Sequence, residues 1–277
     1  MNLLEPFTAS PELLKNLVLR EVRGQYKRTV LGNFWSLLNP LATMLIYTIV
    51  FGLLLKVDPE RGNPSGLDIF ALWLMVGLIP WTFFSRALTN GMGAIVDNVN
   101  LVQKVYFPRH LLVTSTILAA SVTFGFEMFA LVVVLLVVGG MPLPWIPVAL
   151  IFMALLTLLA LGLGWILGVA NVYFRDTQHL VGLLLQFWFY ATPILYPLHL
   201  VSDFEAELKA DGIFLPITLV FELNPMERFT QVFRSLLYDN TWPAADDALF
   251  CVVSAVVSAV VGYAVFKRYS GRVAEEL

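Results

Sequence analysis

Glu127 is the one acid deep inside a long apolar run of this sequence. An ionised carboxylate is costly there and marks a function by default. A proton relay, a pore-facing carboxylate and a structural hydrogen bond all fit. A relay needs a titratable partner, and no other acid, lysine or histidine lies as deep in an apolar run, although facing runs cannot be matched from sequence alone. The remaining candidates for chemistry are sparse. His110, His179 and His199 do not pair at i, i+4, so the helical zinc-hydrolase pattern is missing. The six lysines are followed by Asn16, Arg28, Val57, Val105, Ala210 and Arg268, so no Gly-Lys-Ser/Thr phosphate loop is present. Cys251 is the only cysteine and reads as a small buried hydrophobe, unable to form an internal disulfide. There is no Asp-x-Asp pair to hold a metal-bound nucleotide. No catalytic residue and no metal site is expected.

The elements that must position these residues are set by composition. The chain has 277 residues, 58% hydrophobic and only 13% charged, with mean hydropathy +0.79. Soluble domains carry about 25% charged residues, so too little charge is available for a water-facing surface. An all-α integral membrane protein is expected, one transmembrane domain over 1–277, because lipid forces the backbone to satisfy itself. Six apolar runs, at about 36–57, 69–92, 111–138, 145–173, 179–198 and 247–266, are each read as a transmembrane helix. Met141-Pro142-Leu143-Pro144 makes a tight turn between the third and fourth. With both termini cytosolic, eleven Lys and Arg lie inside and five outside, and Arg86 falls in the cytosolic half of the second run. That bias supports this orientation. The first thirty residues show no removable signal peptide. The net charge of −3 gives no nucleic-acid signal.

Three segments stand out from the spans. Residues 10–30 read as an amphipathic interface helix, with Leu14, Val18, Val22 and Tyr26 on one face and Lys15, Arg20, Arg23, Lys27 and Arg28 on the other. A membrane-surface anchor and a docking surface for a cytosolic partner both fit. Residues 94–110 predict a short cytosolic helix, capped by Asn98 or Asn100, that presents Leu101, Val105, Tyr106 and Phe107. Residues 199–245 predict an outer gate region. Its acidic part, Asp203 to Asp211, reads as solvated, and two re-entrant half-helices follow. The first is at 213–223. The second begins at Asn224-Pro225, with Glu227 closing a capping box. A lid on a pathway and a helix packed on the bundle are both open. Gly164-x-x-x-Gly168 permits close packing, within one chain or between chains. The aromatics from Gln186 to Tyr190, with Trp73, Trp81, Phe83 and Phe84, suit lipid anchoring or stacking on sugar rings.

In order and spacing these segments resemble the membrane (permease) subunit of type-2 ATP-binding-cassette exporters of polysaccharides and lipid-linked glycans, such as those for O-antigen, teichoic acid and galactan. The resemblance covers about 10–270. It rests on Arg20 to Gly32 running into Trp35 and Asn39-Pro40-Leu41, and on Asn100 to Arg109. Tyr173-Phe174-Arg175-Asp176, Thr192 to Pro197, Asn224-Pro225 and Arg234 complete it. It implies a bacterial cytoplasmic-membrane permease that forms a homodimer with two copies of a separate ATPase. ATP and Mg would be bound by that partner, with no cofactor in this chain, and the substrate would be a lipid-linked (polyprenyl-diphosphate) glycan. It also implies that 98–107 is the coupling helix. ATPase-coupling residues would be Asn100, Leu101, Gln103, Lys104, Tyr106, Arg20, Arg23, Lys27, Arg175 and Asp176. A pore between the first and fifth spans would be lined by Tyr47, Phe51, Phe187, Trp188, Tyr190 and Tyr196. An outer gate would use Pro216, Asn224, Pro225 and Arg234. An exporter of drugs or small lipids is the alternative. A membrane-embedded enzyme of glycan or lipid assembly would need clustered acids or histidines that the sequence lacks.

Overall fold

A computed structural model describes residues 11–25, 35–54, 61–104 and 107–271, without the side chains of Gln25, Ser36, Leu37, Phe51 and Leu53. Lys27 and Tyr106 lie outside the described residues. Helix α1 is Pro11–Gln25. Helix α2 is Trp35–Tyr47, continued by a π-helical stretch Thr48–Leu54. Helices α3 (Phe70–Gly93), α4 (Val99–Lys104) and α5 (His110–Val137) follow. A single 3₁₀ turn, Leu143–Trp145, leads into α6 (Ile146–Tyr173). Then come α7 (Thr177–Tyr190), α8 (His199–Ala210) and α9 (Ile217–Glu222). Helix α10, Pro225–Phe233, continues as a π-helical turn Arg234–Asp239 before α11, Ala245–Tyr269. Among the described residues every element is helical.

Among the described residues four stretches are long and apolar enough to cross a membrane: Phe70–Gly93, His110–Val137, Leu143–Tyr173 and Ala245–Tyr269. The outer faces of α5 and α11 carry exposed Phe126, Phe129 and Val133, and Leu249, Val253 and Val257. Contiguous apolar surface of this kind needs a cover, and lipid supplies it. Helix α3 is the hub. It packs on α5, α6, α7 and α10, and Phe83 stacks on Phe124 of α5 at 4.5 Å between ring centroids. Helices α6 and α11 approach so closely that a Cβ on Gly162 would fall 2.2 Å from the Ser258 backbone, and one on Gly262 would fall 2.1 Å from the Gly162 oxygen. Ser258 Oγ donates to the Leu159 carbonyl across this crossing at 3.0 Å. Gly164 and Gly168 are pressed against Ile117 and Val113 of α5, so the small-residue pair works inside one chain.

The fifth apolar run departs from its expectation. Its helix α7 has 14 residues, roughly 21 Å at 1.5 Å per residue, against a hydrocarbon core of about 30 Å. Pro193 lacks the N–H a longer helix would use, and the residue before it is turned out of the helical region. Within its described residues the first run is helical throughout, a 13-residue α-helix continued by seven π-helical residues. The acidic segment 203–211 lies largely within helix α8 and is mostly exposed, as expected of a solvated stretch, with Lys209 Nζ 2.6 Å from Glu205 Oε1. Helix α10 takes the second of its two open readings, packed on the bundle: Met226, Phe229, Val232 and Phe233 are buried, as are Leu236 and Leu237 just beyond it. It is a core element of the bundle, not a flap over it.

Replacing Gly262 by leucine should force α6 and α11 apart. The expected loss is at least about 1–3 kcal/mol, typical of overpacking a tight contact. It would be read as a lower unfolding temperature in detergent, while Gly182→Leu, at an exposed position with open space around it, changes little.

Candidate functional site

The end of α7 is built from several distant segments. Trp188 sits between Phe84 (ring centroids 5.3 Å apart) and Trp81 (6.2 Å), both from α3, and Trp81 also meets Phe189 at 5.6 Å. The Trp188 indole N–H donates to Asn224 Oδ1 at 2.7 Å. The same oxygen accepts from the Met226 backbone N–H at 3.0 Å, which caps α10. Asn224 Nδ2 donates to the Ala191 carbonyl (3.0 Å) and to Thr192 Oγ1 (2.9 Å). Arg234 is buried, and its two terminal nitrogens donate to the Pro193 and Ile194 carbonyls at 2.9 Å each. Its guanidinium carbon lies 3.5 Å from the Trp73 ring centroid. Tyr196 OH donates to the Tyr190 carbonyl at 2.6 Å. Glu227 does not close the expected capping box, because the Asn224 N–H already donates to Phe221. Glu227 is buried beside Arg228 instead, Oε2 to Nε 3.6 Å.

Of the expected pore residues, Trp188 and Tyr47 are half-buried against the core, whereas Phe187 and Tyr190 are exposed. Of the expected gate residues, Asn224 and Arg234 meet on the Thr192-Pro193-Ile194 turn and Pro225 opens α10. Pro216 stands apart, exposed at the start of α9. Outside the spans, the hydrogen bond from Lys209, with further bonds from Thr218, holds the Glu205 carboxyl well below the usual range, pushed down to about 2.

The opposite end gathers α1, α4 and the ends of four long helices. Asn171 Nδ2 donates to the Met92 carbonyl at 3.1 Å, joining α6 to α3. Arg109 donates to the Ser270 carbonyl, and His110 packs on Tyr263 of α11. Helix α1 buries Leu14 and Leu17 against α5 and leaves Lys15, Arg20 and Arg23 outward. Arg20 Nη2 donates to Asn98 Oδ1 at 3.0 Å, just ahead of α4. Helix α4 buries Val102, half-buries Leu101 and exposes Asn100, Gln103 and Lys104. Arg175 and Asp176 are exposed between α6 and α7 at this same end. The two segments read as docking surfaces thus form one continuous face. Phe107, expected to be presented outward, packs instead against the core.

Glu127 finds a partner that sequence could not supply. Its Oε1 accepts from both terminal nitrogens of Arg86 at 3.1 Å. On the same helix α3, Thr82, Ser85 and Thr89 line an open groove of about 420 Å³ against α7, which includes Trp81, Gln186, Phe189 and Tyr190. Sequence reasoning passed over Phe189 and the α3 residues here as pore candidates. The spacing Thr82, Ser85, Thr89 was the available signal.

A bundle of long apolar helices, with a basic face at one end and a helix stopped short at the other, defines a multi-pass membrane protein. Residues 12–205 match the family described as ABC-2 type transporter, and the chain belongs to that family as a permease subunit. It is 31% identical over 266 residues to the O-antigen export system permease protein RfbA of Myxococcus xanthus, covering 96% of this chain and 95% of the relative. It is 26% identical to the RfbA protein of Klebsiella pneumoniae, again over 96% and 95%. It is 28% identical to the polysialic acid transport protein KpsM of Escherichia coli, over 70% of this chain and 73% of that one.

Arg234→Gln removes the paired contact with Pro193 and Ile194 and the cation above Trp73. Hydrogen bonds to charged groups are worth about 1.5–3 kcal/mol, so a loss of about 2–4 kcal/mol is expected. Arg234→Lys should recover only part of it, since an ammonium cannot hold two carbonyls in a planar fork. Thermal unfolding in detergent and proteolysis between 190 and 198 would measure both.

Proposed function

We propose that this chain is the permease subunit of an ATP-driven exporter that carries a lipid-linked polysaccharide from the cytosolic to the outer side of a bacterial cytoplasmic membrane. The supporting observation is the 31% identity to an O-antigen export permease over nearly the full length of both chains. The chain crosses the membrane six times, with α2 and its π-helical continuation as the first crossing and α7 with the turn beyond it as the fifth. The basic end, carrying Arg20, Lys104, Arg109 and Arg175, faces the cytosol, in line with the positive-inside bias.

Two copies pair, and each engages one copy of a separate ATPase that binds ATP and Mg. The exposed side chains of α4 (Asn100, Gln103, Lys104), with Leu101, Tyr106, Arg20, Arg23, Lys27, Arg175 and Asp176, receive the motion of that partner. The pore runs between α2 and α7 of the two copies, where Tyr47, Phe51, Phe187, Trp188, Tyr190 and Tyr196 offer ring contacts. Weak successive stacking suits a sliding polymer, because no single site holds it. Asn224, Pro225 and Arg234 set the outer end of α7, and Pro216 begins the short helix beside it.

Depletion of the protein in its native cells should cause one long glycan-lipid to accumulate, shielded from external glycosidase and readable by mass spectrometry. An unchanged glycan-lipid profile would shift the assignment to export of a drug or small lipid. Complementation with Gln103→Glu/Lys104→Glu should leave the chain inserted and stable yet fail to relieve the accumulation. Normal export by that variant would refute the role given to α4.

A further inference from the structure

Helix α3 is buried along its whole length except at Thr82, Ser85, Arg86, Thr89 and Asn90. Those five positions follow i, i+3, i+4, i+7, i+8, so they form one stripe on one face, and all five are polar. The stripe lies inside a helix long and apolar enough to span the membrane. The outward faces of α5 and α11 show what lipid contact looks like in this chain, and they are made of Val, Leu and Phe. An arginine directed into hydrocarbon is expensive and normally faces a bundle interior or a water-filled cavity.

The Arg86–Glu127 pair has a direction. The carboxylate is the inner member, with its side chain 7% exposed, and the guanidinium is the outer member at 39%. Both terminal nitrogens bond one carboxylate oxygen, so the carboxylate holds the guanidinium from its buried side while the arginine side chain remains the more exposed member. Thr82 and Thr89 hydroxyls donate back to the Ile79 and Ser85 carbonyls, which turns their lone pairs to the solvent side. The groove between α3 and α7 then joins this stripe to the rings of Trp81, Phe189 and Tyr190.

Building on the exporter reading above, we infer that the α3 stripe lines the aqueous substrate path and that Arg86 is an anion station in it, taking the phosphate ester of the lipid carrier. Glu127 positions the guanidinium from behind. Neutral sugar units meet only the hydroxyls, Gln186 and the rings, so they pass without a charged contact. The diphosphate end of the substrate is the part Arg86 retains.

The test uses the purified full chain in phosphatidylcholine liposomes, with Cys251→Ala as background because Cys251 is fully buried. Ser85→Cys and Thr89→Cys should react with water-soluble methanethiosulfonates, while Val257→Cys on the lipid face should not. The sulfonate reagent should be favoured over the trimethylammonium reagent by about tenfold, as local charge concentrates counter-ions. Arg86→Gln/Glu127→Gln, which removes the pair without leaving a buried charge alone, should abolish that preference, and Arg86→Lys should keep it. Undecaprenyl diphosphate without glycan should slow labelling severalfold, and undecaprenol should not. Labelling no faster than at Val257→Cys would overturn the inference by placing the stripe against protein or lipid. An unchanged reagent preference in the double variant would overturn the anion station. Protection only by an acidic glycan, and not by undecaprenyl diphosphate, would overturn the carrier assignment. If depletion leaves glycan-lipids unchanged while the labelling pattern holds, the polysaccharide reading fails and the station stands.

Discussion

A helix that stops inside a hydrocarbon layer leaves carbonyls that water cannot reach, and each one left bare costs free energy. Helix α7 stops after 14 residues, and side chains from several segments take up the carbonyls at its end. The Trp188 carbonyl accepts from Thr192, Tyr190 from Tyr196, Ala191 from Asn224, and Pro193 and Ile194 from Arg234. Side chains from more than thirty positions away do most of this work. The break in α7 therefore belongs to the native fold, and the residues that satisfy it cannot be moved independently of it.

From that constraint the burial of α10 follows. Asn224 and Arg234 reach the α7 turn only if the helix between them runs alongside α3 and α6, and its apolar stripe then enters the core. Arg234 needs its own compensation for losing water, which Trp73 supplies from above at 3.5 Å. A flap free to swing could not hold these contacts through its motion. Any opening at this end must carry α10 as part of the bundle and move the elements tied to it less firmly. Helix α9, six residues long with none buried, is such an element.

Long runs were the legible part of the sequence, because helix and lipid impose the same rule on every residue. The runs that became α3, α5, α6 and α11 were placed to within a few residues, as was Asn224 at the start of α10. The short α7 was not, although Pro193 was visible. A proline says where a helix weakens, but only a distant arginine decides that the break is tolerated at depth. Glu127 was correctly singled out, and its partner was missed because Arg86 is 41 positions away on a helix whose facing was unknown. The α1 face was half right: Leu14 is buried, but Leu17 joins it in the core while Val22 is only half-buried. Asp203 to Asp211 was read as solvated, and most of it is exposed, but the helix that carries it, with Lys209 and Glu205 paired one turn apart, was not placed.

A polar stripe carries opposite meanings in the two solvents. On a soluble helix Thr82, Ser85, Arg86, Thr89 and Asn90 would be the unremarked water-facing side. On a spanning helix that is otherwise buried, the same spacing is costly, and the cost is met only where water is present or polar protein covers it. The inner placement of Glu127 sharpens the distinction. A pair built only to neutralise charge gains most when both members are buried, since exposure weakens their attraction. Here one member is buried and the other is partly exposed on the polar stripe, an arrangement that gives up attraction within the pair and leaves the cation available to a third group.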